Sequence, residues 1–337
     1  MYHGRYHGTH FEIGFRWGAL LAKRGNFILE NIGFKVTPER LEFSESCIPV
    51  YEEYFPEILE EIRGIANGQT CDEKKLQAFL FSMYAMPPSC HCSCFAVSND
   101  RQILFGRNSD FLTELEKSNL NVIYHFTSSS YSFTGNTTAF VQMEDGINEH
   151  GLAIGLTSIQ PTTIKPGFNA GILLRYFLER CKNTSEVIEQ IQLLPISSAQ
   201  TFTVADTSGR IAVIECCSGK MEITQPSDGN PYVCATNLFH AESMKEFNIP
   251  GIDNWQAKPR YKTLVNVLSH KADRLDYQTA ADLLSGKYGF LCQYDRKTGK
   301  DTVWSVIYDL TNKKIYRTEG NPSRQKFKED IRFPILK

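Results

Sequence analysis

The first part of the chain, residues 1–88, carries apolar side chains at the spacing of amphipathic helices. Thr9 and Glu12 form the pattern of a capping box, and Thr37 before Pro38 marks a second helix start. Asp72 is placed to cap a further helix, which the proline pair at 87–88 would stop. The pattern therefore predicts a helical leader.

From residue 92 the apolar period changes to that of β-strands. The predicted hairpins pair residues 94–97 with 102–106, 139–143 with 152–157, 201–205 with 211–215, and 303–309 with 314–318. Helices are predicted at 170–180, 186–193, 257–268 and 280–285, with Asn183 capping the second and Thr279 the last. Antiparallel hairpins with grouped helices between them indicate an α+β fold.

Composition narrows the class of protein further. The 337 residues carry 36 Lys plus Arg and 38 Asp plus Glu, a net charge of −2, which lacks the positive charge of a general nucleic-acid binder. There is no apolar run of the roughly 18–20 residues that a membrane span needs, and the first eight residues lack the apolar core of a secretory signal. We therefore expect a cytoplasmic protein whose ten cysteines are mostly reduced and buried.

Three cysteines lie close together where the helical and strand patterns meet, in Ser89-Cys90-His91-Cys92-Ser93-Cys94. One hypothesis is a non-catalytic zinc-binding or interaction protein organised by Cys90, His91, Cys92 and Cys94, although the spacing departs from the usual Cys-x2-Cys pairs. A second is that the thiols are small buried apolar groups at the start of a strand.

A third hypothesis makes one of these cysteines a nucleophile. Cleavage of the chain just before a cysteine frees its α-amine, whose ordinary pKa of about 7.7–8.0 lets it accept the thiol proton near neutral pH. One residue then supplies both nucleophile and base.

Several motifs, taken in order, carry a family resemblance. They are Cys92-Ser93-Cys94-Phe95-Ala96-Val97, Gly106-Arg107-Asn108-Ser109-Asp110-Phe111, Gly146-Ile147-Asn148-Glu149-His150-Gly151-Leu152, Ala235-Thr236-Asn237, Lys258-Pro259-Arg260-Tyr261 and the segment 302–322. The series resembles the N-terminal-nucleophile (Ntn) linear amide hydrolases, which include choloylglycine (bile salt) hydrolases and penicillin V acylases. The long leader resembles the propeptide of the acyl-CoA:6-aminopenicillanic acid acyltransferase branch, peptidase family C45.

The resemblance implies a four-layer αββα sandwich of two antiparallel sheets with a helical N-terminal propeptide. Residues 1–91 would be the leader and residues 92–337 the catalytic body. The implied function is that of a self-processing amidohydrolase or acyltransferase, a zymogen cut between His91 and Cys92. It would act on linear, non-peptide C–N amide bonds through an acyl-enzyme thioester.

Site roles also follow from the resemblance. Cys92 would be the nucleophile, Asp110 would hold its amine, and Arg107 would lower the pKa of its thiol. Asn237 would donate to the oxyanion, and Arg260 would support the site electrostatically.

The main-chain N–H of Thr157 is a candidate second oxyanion donor, at a position where bile salt hydrolases carry Asn. No cofactor or metal is implied, and the expected partner is a small-molecule amide or acyl donor rather than nucleic acid or membrane. A homo-oligomer is compatible with the sequence, which leaves the acyl group and the amine open, as well as the choice between hydrolysis and acyl transfer.

Overall fold

Two β-sheets form the body of the protein in a computed structural model that describes residues 1–86, 91–227 and 229–335. The strands are β1 (Tyr2–Gly8), β2 (His91–Ser98), β3 (Ile103–Leu112), β4 (Leu120–Phe126), β5 (Phe133–Thr137), β6 (Asp145–Asn148), β7 (Ala153–Ile159), β8 (Ala199–Ala205), β9 (Ile211–Cys216), β10 (Met221–Thr224), β11 (Tyr232–Ala235), β12 (Lys300–Asp309), β13 (Lys314–Glu319) and β14 (Lys328–Glu329). The larger sheet has the order β1-β4-β5-β6-β7-β8-β9-β10 and the smaller one β11-β2-β3-β12-β13-β14.

Helices cover the outer faces of both sheets. They are α1 (His10–Lys23), α2 (Pro38–Tyr54), α3 (Pro56–Gln69), α4 (Glu73–Ser82), α5 (Ala170–Arg180), α6 (Thr184–Ile191), α7 (Ala257–Lys271) and α8 (Tyr277–Leu284). Leu173 and Phe177 of α5 pack with Leu156 of the larger sheet, whereas Leu264 of α7 packs with Phe95 of the smaller one.

The two sheets stack directly on each other. Cys94 and Phe105 of the smaller sheet share one buried cluster with Ile147 and Ala153 of the larger sheet. Successive strand residues alternate between faces, so the same strands present Phe95 and Leu104 to α7 and α8. The expected α+β sandwich, with its layers in the order helix, sheet, sheet, helix, is confirmed.

The chain before residue 87 is mostly helical, and two of its predicted helix starts show the expected capping bonds. Thr9 and Glu12 form both bonds of the capping box, and Asp72 accepts a hydrogen bond from the Lys75 N–H. Seven of the described strands were not predicted, namely β1, β4, β5, β6, β10, β11 and β14. Among them, β1 pairs in parallel with β4 at the edge of the larger sheet. The polar sequence of β1 lacks the apolar pattern that predicts a strand. Its strand conformation comes from hydrogen bonds to β4.

Two local predictions are wrong. Residues 139–143 are not a strand: Phe140 has a φ of 58°, and the Gln142 N–H turns back to the Ala139 carbonyl. On this side β7 pairs with β6, which begins after the predicted strand ends. The cap of α8 is Asp276, which accepts from the Thr279 N–H, so Thr279 lies inside the helix.

A buried ion network joins α3 to α5. Glu61 of α3 accepts from Arg175 of α5 at 2.6 Å and from the Tyr124 hydroxyl at 2.9 Å, with all three side chains buried. Arg175 also pairs with Glu179, which accepts from His10 at 2.8 Å. Because charges inside a protein are costly when unpaired, this network fixes α3 against α5.

This network gives a stability prediction. Glu61→Gln leaves Arg175 with one counter-charge instead of two, so we expect the free energy of unfolding to fall by about 3 kcal/mol in urea denaturation. Glu57→Gln is the matched control on the same helix, because its ion pair with Arg180 is about one-third exposed (33 % and 30 %). The control should lose under about 1 kcal/mol, and equal losses in the two variants would contradict the network's importance.

Candidate active site

The thiol of Cys92 lies against a buried guanidinium. The register of β2 and β3 places Cys92 opposite Ser109 and Cys94 opposite Arg107, so these four side chains share the face that looks toward the larger sheet. Arg107 Nη2 lies 2.7 Å from Cys92 Sγ, and both residues are fully buried. A cation at this distance stabilises the thiolate form of the cysteine.

Arg107 is held in place by the larger sheet. Its Nη1 pairs with Asp145 at 3.0 Å, its Nε donates to the Leu156 carbonyl at 3.2 Å, and its Nη2 also lies 3.3 Å from Glu144. Gly155 makes room for it, because a Cβ there would lie 2.9 Å from Arg107 Cδ. Burial by itself would lower the pKa of Arg107, but Cys92 and the two carboxylates raise it well above its ordinary value, so the side chain stays charged.

Arg260 reaches the same cysteine from the opposite face of the smaller sheet. It lies at the start of α7 and donates to the Cys92 carbonyl, to Ser93 Oγ at 3.0 Å and to Asn237 Oδ1 at 2.9 Å. Its Nη1 lies 3.6 Å from an oxygen of Asp110. Arg260 therefore ties together the main chain of Cys92, Asn237 and Asp110.

Asp110 lies opposite His91 in the register of β2 and β3, on the face away from the Cys92 sulfur. Its carboxylate accepts from Thr302 at 2.6 Å and from Tyr294 at 3.0 Å. Burial raises the pKa of Asp110, and Arg260 together with the two hydroxyls opposes that rise. The carboxylate thus lies on the opposite face of the sheet from the Cys92 sulfur, and Arg260 links it to the Cys92 carbonyl.

Asn237 lies next to the peptide bond that precedes Cys92. Its Oδ1 accepts from the Cys92 N–H at 2.8 Å, and its Nδ2 donates to the Ser158 carbonyl at 2.8 Å. The Thr157 hydroxyl donates to the Thr236 carbonyl at 2.8 Å, one residue before Asn237. Cys92 thus contacts Arg107 through its sulfur and contacts Asn237 and Arg260 through its main chain, while Thr157 bonds to the residue before Asn237.

A cavity of about 50 Å³ opens beside this cluster. Its walls come from His91, from the end of β7, from Asn237 and Leu238, and from the loop at 248–254. Ile249 and Ile252 lie at its rim and are partly exposed, at 36 % and 41 %. The cavity places mixed polar and apolar surface next to Asn237 and the Cys92 main chain.

His91 is buried beside the Cys92 peptide bond. Its ring stacks on Trp255 with centroids 4.6 Å apart, and neither ring nitrogen has a hydrogen-bond partner among the described residues. Burial, and next the positive charge of Arg260, lowers the pKa of His91 to about 3. The ring is therefore neutral at any ordinary working pH.

This burial gives a pH prediction. The unfolded chain binds a proton at His91 near pH 6.5 and the folded chain only near 3, so this residue's contribution to stability is complete above 6.5 and is lost as the pH falls. In a Cys92→Ala background, which lacks the thiol that any self-cleavage before residue 92 would need, His91→Phe should remove that loss. Between pH 7.5 and 5 the parent should lose on the order of 2 kcal/mol more than the Phe variant in urea denaturation. Parallel losses would show that the ring does not resist protonation.

The zinc hypothesis finds no support in the described residues. Across residues 1–86, 91–227 and 229–335, no group of three or more His, Cys, Asp or Glu side chains is arranged to hold a metal ion. Cys90 lies outside the described residues. Nor is any described helix long and apolar enough to cross a membrane.

Several residues at the site were not singled out from the sequence. Asp145 accepts from Trp304 and Tyr308 at 2.9 Å as well as from Arg107, and Glu144 accepts from Ser109 at 3.2 Å. In the sequence, Glu144-Asp145 has the composition of a turn. The one available signal was an acidic pair beside an otherwise apolar strand.

Comparison with solved structures gives distant matches. Penicillin V acylase from Agrobacterium tumefaciens is 14% identical over 68% of this chain and 82% of its own, with a TM-score of 0.48. An N-acylethanolamine-hydrolyzing acid amidase ortholog from Caenorhabditis elegans is 16% identical over 65% and 93%, with a TM-score of 0.48. A mutant of the conjugated bile acid hydrolase from Clostridium perfringens is 14% identical over 73% and 98%, with a TM-score of 0.45.

A family model matches one continuous stretch that makes up more than half of the sequence. It is described as acyl-coenzyme A:6-aminopenicillanic acid acyl-transferase, and it covers residues 97–324. That span contains Arg107, Asp110, Asn237 and Arg260, and it begins five residues after Cys92. The match agrees with the resemblance seen in the motifs, and this chain belongs to the acyl-coenzyme A:6-aminopenicillanic acid acyl-transferase family.

Proposed function

We propose that this protein is a self-processing cysteine amidohydrolase or acyltransferase of the N-terminal-nucleophile type, with Cys92 as its nucleophile. The observation that carries the proposal is the pair of contacts at Cys92. Its sulfur lies 2.7 Å from the Arg107 guanidinium, and its main-chain N–H donates to Asn237 Oδ1 at 2.8 Å. An activated thiol and a held main-chain nitrogen on one residue are what this chemistry requires.

Processing would begin at the bond between His91 and Cys92. The Cys92 thiol attacks the His91 carbonyl and the C–N bond breaks, so that the acyl group moves from nitrogen to sulfur and the nitrogen becomes an amine. Water then hydrolyses the thioester, which leaves a carboxylate on His91 and a free thiol and amine on Cys92. The neutral His91 ring places no charge beside the scissile carbonyl.

The two products would be residues 1–91 and 92–337. The network of Glu61, Arg175 and Glu179 supports their continued association, because separating them would leave buried charges without partners. The pairing of β1 with β4 supports the same conclusion, since it makes the leader part of the body's sheet.

In turnover, the Cys92 sulfur would attack the carbonyl of a linear amide. The Cys92 amine accepts the thiol proton and returns it to the leaving amine, so that an acyl-enzyme thioester remains. Attack by water gives hydrolysis, and attack by a second amine gives acyl transfer. In both cases the sulfur is released as it started.

Each neighbouring residue has a role in this scheme. Arg107 stabilises the thiolate, and Asp110 holds the amine from the face opposite the sulfur. Asn237 donates to the oxyanion through the Nδ2 hydrogen that the Ser158 carbonyl does not take, and the Thr157 N–H is the candidate second donor. Arg260 positions Asn237 and Asp110, because it contacts both.

The cavity beside Asn237 supports a small-molecule amide or acyl donor as the substrate. Its rim residues Ile249 and Ile252 suit an apolar group, while Asn237 and Ser158 supply polar contacts near the Cys92 main chain. The bonds proposed are linear, non-peptide C–N amides.

Intact-mass measurement of the purified protein tests the proposal directly. We expect two masses, corresponding to residues 1–91 and 92–337, whose sum exceeds the unbroken chain by one water. Hydrolysis and transfer are then separated by incubating the protein with linear amides, with and without an acceptor amine. A chain that stays unbroken under assay conditions and is inactive on every amide would overturn the proposal.

A further inference from the structure

Glu144 is a buried carboxylate close to Cys92 to which the proposed reaction assigns no role. Its Oε2 lies 3.3 Å from Arg107 Nη2 and accepts from Ser109 Oγ at 3.2 Å, and its Oε1 accepts from Thr138 at 2.9 Å. Its main-chain N–H and carbonyl are both bonded at 2.9 Å to neighbouring strands. These bonds fix the Glu144 carboxylate beside the Arg107 guanidinium.

One nitrogen of Arg107 contacts both the Cys92 thiol and the Glu144 carboxylate. Arg107 Nη2 contacts Cys92 Sγ at 2.7 Å and Glu144 at 3.3 Å, while the other terminal nitrogen, Nη1, is engaged by Asp145. Asp145 has three further donors of its own, from Asn136, Trp304 and Tyr308. The Asp145 carboxylate thus balances the positive charge of Arg107. A Cys92 thiolate and an ionised Glu144 would each add a negative charge that is not balanced in this way.

Arg107 is the one cation that faces Glu144 among the contacts that the described residues show. The groups that face it are Arg107 and Ser109 from β3, Thr138 after β5, Asp145 from β6 and, through Arg107, Cys92 from β2. Arg317, a further cation near Asp145, is paired with Asp330 at 2.9 Å. Because excess charge is costly in a buried site, the two acids oppose each other's ionisation.

We propose that Glu144 is a positioning residue that controls the ionisation of the Cys92 thiol, because the two acids compete for one guanidinium nitrogen. When Glu144 is neutral, Arg107 Nη2 is available to the sulfur and the thiolate is favoured. When Glu144 is ionised, the thiol stays protonated. Burial raises the pKa of Glu144, and Arg107 and Thr138 oppose that rise. The effect on rate rests on the proposed function, whereas the effect on the thiol does not.

The test follows thiolate formation at Cys92 by ultraviolet absorbance as a function of pH. Each protein is compared with its own Cys92→Ala counterpart, so that only the Cys92 signal remains. Glu144→Gln should lower the midpoint by about one pH unit, which is about tenfold more thiolate below the midpoint. Glu144→Asp keeps the charge and should return the midpoint toward the starting value.

Glu149→Gln is the matched control, since it removes a carboxylate from the same hairpin that contacts the Ser132 N–H and not Arg107. Its midpoint should not move. Ser109→Ala serves if Glu144→Gln does not fold: losing a donor makes Glu144 easier to protonate and should lower the midpoint by a smaller amount.

If the midpoint of thiolate formation is unchanged or raised in the folded Glu144→Gln protein, the proposal is overturned. If Glu144→Gln does not fold, an unchanged or raised midpoint in Ser109→Ala overturns it. A purely structural role would lower the thermal unfolding temperature and leave the midpoint where it was. The acid limb of the kcat/KM profile should move with the midpoint. If the midpoint moves and the profile does not, Cys92 is not the nucleophile, and the failure lies with the proposed function instead.

Discussion

Replacing Cys92 with alanine should give one unbroken chain with no measurable turnover. The thiol is proposed to start both the break before residue 92 and each catalytic cycle, so its loss removes both activities at once. We expect kcat/KM to fall by a factor on the order of 10³ or more, measured on any linear amide that the native protein turns over. Intact mass reports the unbroken chain in the same sample.

Cys94→Ala is the control for this change. Cys94 lies two residues along on the same face of β2, and burial raises the pKa of its thiol to about 12. Its sulfur lies 3.9 Å from the Leu156 carbonyl, which is a weak contact. Its loss in Cys94→Ala should therefore reduce stability only slightly. This variant should be cut and active, and its inactivity alongside an active Cys92→Ala would identify Cys94 as the nucleophile.

Asn237→Ala should produce the second-largest loss. One side-chain donor to an oxyanion is typically worth a factor of about 10²–10³ in kcat. The change also removes the acceptor of the Cys92 main-chain nitrogen and of Arg260. We expect kcat to fall in that range while KM changes little, in steady-state kinetics on a substrate with a reporting amine.

Asn248→Ala separates this effect from a general change in the cavity. Asn248 lines the same cavity, but its side chain bonds only to the main chain of Phe239 among the contacts described for it. It should alter stability or KM and leave kcat within a few-fold. Equal losses of kcat in the two variants would argue that Asn237 shapes the loop and does not contact the oxyanion.

Several helix starts and seven of the fourteen described strands could be predicted because their signals are local. The capping box at Thr9 and Glu12 and the range Ala170–Arg180 depend on side chains within a few positions of one another. The strand at Tyr2–Gly8 could not be predicted, since its order comes from hydrogen bonds to β4, more than 100 residues away. The strand prediction at 139–143 is wrong because it followed the apolar composition of this segment, whereas the chain turns at Phe140.

The site shows the same division. Cys92, Arg107, Asn237 and Arg260 were named from motifs, and the structure places them in contact. The bonds from Thr302 and Tyr294 to Asp110 could not be predicted, because they depend on strand register and on a loop that folds back from elsewhere in the chain. Glu144 reaches Arg107 only through the stacking of the two sheets.

The first strand of the protein has a practical consequence for producing the body on its own. Residues 92–337 made without the leader would expose the whole hydrogen-bonding edge of β4 where Tyr2–Gly8 now lies. An unprotected edge of this kind recruits other chains and drives aggregation. Separate expression of the two halves should therefore yield insoluble body material, and co-expression with the leader should recover it.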